Sequence, residues 1–231
     1  MSLSDDVRRI VCSDFESPFV ESVSNFAAWE YRVLYDSLAG DPALSNEQRL
    51  QEFSRGRALA ISRAMIRAAQ KHGVPYDIKR LKCNGQNKVL VKVGRIVILQ
   101  EPMASLYGEK PRAAAYKQEI SRYAGVITQL ELDLGDRPPQ LLDWSDGTLA
   151  VLLHGTCGAR FSERDCELGA LMLAVPDAAY ENWVMRLDLH DIALFGNARI
   201  DNGRASQHEN VQEDRVIVKR KLKKNKIRSN G

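Results

Sequence analysis

Apolar side chains return at helical spacing along residues 20–38, where Phe26, Trp29, Val33 and Leu34 share one side, and Gly40 and Pro42 close the run. A second and longer helix is predicted from Ser45 onward. Ser45 and Gln48 form a capping-box pair, Gly73 supplies the stop, and Leu50, Phe53, Leu59, Ile61, Met65, Ile66 and Ala69 make a broad apolar stripe. Arg55, Arg57, Arg63, Arg67 and Lys71 cover its other directions, and Gly56 is the weak point of the helix.

Past Pro75 the period falls to two. Residues 78–102 are rich in valine and isoleucine and are cut by Asn84-Gly85 and by Gly94, which predicts three short antiparallel strands joined by tight turns. A helical window follows from Pro111 to Gly125, then an alternating strand-like stretch over 126–136. Residues 138–155 read as two strands meeting at Asp146-Gly147, and 168–176 as a strand or a short buried helix. Asp177 is placed to cap a last helix carrying Tyr180, Trp183, Val184 and Leu187 on one face. No internal repeat is visible. The order predicts an α+β fold, N-terminal helices followed by a mostly antiparallel sheet with interspersed helices. It is expected as a single domain over residues 1–202, helical to about 73 and strand-rich from 74. Residues 203–231 are expected to be a basic, flexible tail, although 216–218 have the composition of an edge strand.

Composition narrows this picture without redirecting it. With 44% hydrophobic and 27% charged residues, a chain of 231 residues can bury its own core. The start lacks the pattern of a secretory leader, and no apolar run nears the roughly 20 residues that span a bilayer. A cytoplasmic protein with no membrane partner is expected. Cys12, Cys83, Cys157 and Cys166 form no close pair, which suits free thiols rather than a disulfide framework. The net charge of +3 is unevenly laid out: residues 203–231 hold nine Lys/Arg against three Asp/Glu, so the rest of the chain is mildly acidic.

That asymmetry changes the functional reading most. Lys219, Arg220, Lys221, Lys223, Lys224, Lys226 and Arg228 fall within ten residues and could neutralise the phosphates of DNA or RNA without reading bases. Arg55, Arg63 and Arg67 on the long helix could assist. No aromatic interleaves the basic run, so base stacking is not expected there.

Enzymatic readings rest on smaller constellations. Phosphate-cradling GxxxxGK[ST], GxGxxG, HExxH and kinase patterns are absent from the sequence, and the LLHG of residues 152–155 has no GxSxG to serve. Pro75-Tyr76-Asp77 followed by Gln86-Asn87-Lys88 resembles the PD-(D/E)xK nucleases, which implies an acid and a lysine on neighbouring strands around Mg²⁺; Asp77-Ile78-Lys79 is a second such match. Glu131 and Asp133 alternate along one predicted strand, with Asp136, Asp143 and Asp146 nearby. They are candidate hard-oxygen ligands, or else a solvated strand face. Metal-dependent phosphodiester cleavage with Asp77, Lys88, Glu131 and Asp133 is therefore a second functional expectation. His154, Cys157, Cys166 and His190 could complete a tetrahedral zinc site, or Cys157 could act as a nucleophile with His154 or His190 as base; buried structural thiols are the plain alternative. A third expectation is a protein partner or a homo-oligomer anchored by Trp29, Tyr35, Tyr180 and Trp183.

Overall fold

In the computed structural model, residues 10, 11, 13–15, 17–81, 85–103, 111, 117, 148–177 and 182–190 are described. Helix α1 spans Ser17–Ala39 and buries Phe19, Val20, Val23, Ala27 and Tyr31, a three-to-four spacing that turns one stripe inward. Helix α2 spans Asn46–His72 and opens on the expected cap: the Gln48 backbone N–H donates to Ser45 Oγ, and the Ser45 N–H donates to Gln48 Oε1. Gly73 closes it in the left-handed conformation. The helices form an antiparallel hairpin. Gly56 does not break α2; it is where Leu34 of α1 packs, and a β-carbon there would lie 2.9 Å from Leu34 Cδ1.

The sheet has six strands in sequence order: β1 Tyr76–Arg80, β2 Asn87–Val93, β3 Ile96–Pro102, β4 Thr148–Thr156, β5 Leu168–Pro176 and β6 Trp183–Asp188. Every neighbouring pair is antiparallel except β3 and β4, which run parallel with Ile96 beside Thr148 and Pro102 beside His154. A parallel pair needs a long crossover, and residues 103–147 connect it. The α+β expectation is met. Between β2 and β3 the chain turns at Gly94, whose φ of 54° suits glycine, and a β-carbon there would lie 2.5 Å from an oxygen of Asp14. Asp14 ion-pairs with Arg95 at 2.8 Å, which fastens residues 10–15 to that turn. The Arg95 hydrogen bonds hold the Asp14 carboxyl far below the usual carboxylate range.

Both sheet faces are buried. On the first, Val91, Ile98, Leu152 and Leu173 pack against Phe19, Val23, Ala27, Ile61 and Met65 of the helices. On the second, Leu90, Val97, Leu99, Val151, Leu153 and Ala174 form a separate cluster with Leu81 and Met103. Two-sided burial explains why β3 and β4 read as nearly unbroken apolar runs rather than alternating ones. The first core retains an apolar void of about 10 Å³ among Phe15, Met65, Val91 and Leu173, about the space of one water and with no polar lining.

The segment after Asp177 departs from expectation. It contains strand β6 instead of the start of a helix, because Met185 and Leu187 alternate with Arg186 and Asp188, and β5 offers a ladder to pair with. Asp177 does cap, but it caps a hairpin: its side chain accepts the Asn182 N–H at 3.0 Å. The 168–176 alternative resolves to a strand. The stretch 126–136, most of the 111–125 window, the strand before Asp146 and all of 203–231 lie outside the described residues.

Ser45→Ala removes one half of the α2 capping box. It is expected to lower unfolding free energy by about 1 kcal/mol with an unchanged urea m-value; an unshifted urea midpoint would contradict the role assigned to the cap.

Candidate functional site

A chain of buried polar groups crosses the first core. The Tyr31 hydroxyl lies 2.6 Å from His154 Nδ1, and His154 Nε2 lies 3.0 Å from Gln100 Oε1. An amide oxygen only accepts, so Nε2 carries the proton and Nδ1 accepts from Tyr31. Gln100 Nε2 then donates to Ser62 Oγ at 3.4 Å, and Ser62 donates to the Ala58 carbonyl at 2.9 Å. The direction of donation is consistent from α1 through β4 and β3 into α2. Burial, and then the positive charges of Arg57 and Lys88, lower the His154 pKa from its ordinary 6.5 to about 3; burial pushes the Tyr31 hydroxyl up. A neutral imidazole and a neutral phenol are therefore locked in place.

This arrangement bears on the zinc and thiol expectations. Both ring nitrogens of His154 are engaged, and His190 Nδ1 sits 3.1 Å from Ser24 Oγ. Cys157 is exposed in the β4–β5 connection, whereas Cys166 is buried with its thiol toward the Arg160 carbonyl. Among the described residues, no three His, Cys, Asp or Glu side chains are placed to hold a metal ion. Burial raises the pKa of both thiols, with Glu167 adding to the effect at Cys157, so neither is activated as a thiolate.

The second sheet face brings together part of the phosphodiesterase expectation. In the β1–β2 register Asp77 stands beside Leu90 and Lys79 beside Lys88, which places these residues on the face of Leu90 and Leu99. Glu101, two residues beyond Leu99, shares that face and ion-pairs at 2.8 Å with the buried Lys117. Lys88 is half-buried; desolvation lowers its pKa, opposed by the charge of Glu101. The Asp77 carboxylate is tied to the backbone, accepting the Ile78 N–H at 2.7 Å. Glu131 and Asp133 lie outside the described residues. Glu101 and Lys117 escaped the sequence reading; the available signal was a carboxylate two positions after an inward-facing leucine.

The basic helix is partly committed to structure. Glu30 of α1 is 1% exposed; it accepts a hydrogen bond from Arg63 Nε at 2.6 Å and forms an ion pair with Arg67 Nη1 at 3.2 Å. Arg55 pairs with Glu52, one turn earlier. Both Glu30-bound arginines still show more than two fifths of their side chains to solvent. Of the aromatics suggested as anchors, Trp29 is 49% exposed, Tyr35 stacks on Phe161 with centroids 5.0 Å apart, Trp183 packs on the second core, and Tyr180 lies outside the described residues. The residues of the basic run, 219–228, also lie outside them.

No protein-family model, curated protein or solved structure matches this chain. Among the described residues no helix is long and apolar enough to cross a membrane.

The buried imidazole carries a pH dependence with a definite sign. Acid binds preferentially to the unfolded chain, where the histidine titrates near 6.5, so its contribution is complete above that pH and drains away as pH falls toward about 3. His154→Gln is expected to lower stability at pH 7 yet flatten the acid limb of a stability–pH curve, whose slope from this group approaches about 1.4 kcal/mol per unit. An acid limb equally steep in the variant would refute the assignment.

Proposed function

We propose that the protein binds the phosphate backbone of DNA or RNA without reading sequence, with residues 219–228 as the main contact. The observation that carries this reading is the concentration of seven Lys/Arg within those ten residues, beside a body of mildly acidic charge. The described residues support this reading. Their cations Arg32, Arg63, Arg67, Arg95 and Lys117 each hold an ion pair with a carboxylate, while the basic run has charge far in excess of its own carboxylates. Arg55, Arg63 and Arg67 assist from α2. The affinity of the full chain for labelled DNA and RNA is expected to fall steeply between about 50 and 200 mM salt. Changing the seven basic residues of 219–228 to glutamine should weaken binding by roughly tenfold or more and flatten the salt slope; unchanged binding would defeat the proposal.

One observation favours a second reading, metal-dependent phosphodiester cleavage: Asp77, Lys88 and Glu101 share one sheet face. Two carboxylates and a lysine are part of what such chemistry uses, with the cation supplying Lewis acidity. Incubation with Mg²⁺ or Mn²⁺ should then cut duplex or single-stranded probes, and Asp77→Ala and Glu101→Gln should each abolish cutting. Intact probes under both metals would eliminate this reading and leave the first untouched.

A further inference from the structure

Along α2, Arg55, Leu59, Arg63, Arg67 and Lys71 recur one helical turn apart. Beside them on α1, Trp29 lies under Arg67, whose guanidinium carbon is 4.5 Å from the ring centroid, and Lys71 Nζ stands 5.8 Å from the ring centroid of Phe26. The crest of the hairpin therefore interleaves cations with apolar surface. Trp29 is 49% exposed, Leu59 61% and Val33 37%. Buried Glu30 holds Arg63 and Arg67 in fixed positions, setting one negative charge against two positive ones that still face solvent.

We propose that this crest is a track for single-stranded nucleic acid, with a base stacked on Trp29 and phosphates facing Arg55, Arg63, Arg67 and Lys71. The proposal rests on the phosphate-backbone reading above and names its substrate class. The reason is geometric. A duplex keeps its bases stacked inside and offers an exposed indole nothing to stack on, whereas a single strand presents free π-faces, and a cation spaced along the backbone holds them in reach. Charge complementarity selects this occupant over an apolar protein partner: Trp29 lies under Arg67, and Leu59 stands one turn from both Arg55 and Arg63.

The full chain is titrated against a labelled oligothymidylate of roughly 16 nucleotides and against a duplex of equal length. Trp29→Ala and Trp29→Leu are expected to weaken oligothymidylate binding by roughly tenfold or more while leaving duplex binding unchanged, and Trp29→Phe to retain most of it. Trp29→Leu keeps the apolar packing, so its loss of binding reports stacking rather than folding. Arg55→Ala with Lys71→Ala should weaken both probes and reduce the salt slope. Oligothymidylate binding that survives Trp29→Leu overturns the crest as a stacking track. So does self-association of the free chain, measured by light scattering, that Trp29→Ala abolishes, since a second copy would then occupy the crest. Failure of the parent chain to bind either probe overturns the underlying reading instead.

Discussion

The structure depends on a neutral imidazole held inside the first core. His154 sits on β4 where the strand is enclosed by helices, and an uncompensated ring there would cost several kcal/mol. It is compensated from both sides: Tyr31 reaches down from α1, Gln100 reaches across from β3, and Ser62 extends the chain into α2. Four elements are thus tied by directional bonds that tolerate only one arrangement. Apolar packing alone fixes how much surface is buried, but it leaves the sliding of helices on a sheet weakly specified. The polar chain supplies that register, which is why the hairpin and the parallel β3–β4 pair meet as they do.

The same helices use charge in a second way. Glu30 is buried, and its two arginine partners are long enough to offset its charge while keeping their guanidinium groups wet. A buried carboxylate thereby becomes a device for setting the direction of surface cations. Trp29 completes the arrangement, since the Arg67 guanidinium packs over one face of its ring and leaves the indole half exposed. The ion pairs that steady the hairpin also space its positive charge.

The elements legible beforehand were those with strong local signals. The α2 cap and the 78–102 meander depend on neighbours within a few residues and appear as expected, whereas α1 forms but buries Phe19, Val23, Ala27 and Tyr31 and leaves Trp29 and Val33 of the expected stripe exposed. The failure after Asp177 has a physical cause: short amphipathic segments satisfy either period, and a waiting strand edge in β5 decides the matter. Of the candidate chemistry, Asp77 and Lys88 do fall on one face, but Glu101 and Lys117 beside them were invisible because inward-facing polar groups look like strand ends in a linear string. His154 was noticed for the wrong neighbours, since its true partner Tyr31 is 123 positions away.

Period, caps and turn residues, set by chain stereochemistry over a few residues, thus determined the helices, most strands and the α+β class from the sequence alone. The charge run at 219–228 is likewise a property of composition. Tertiary structure alone decided the β3–β4 parallel pairing, the burial of the second sheet face, the partners of His154 and the gathering of Arg63 and Arg67 on Glu30. Each of these joins residues far apart in the chain, and such contacts are chosen by the global packing of apolar faces and the need to satisfy every buried polar group, neither of which leaves a local mark.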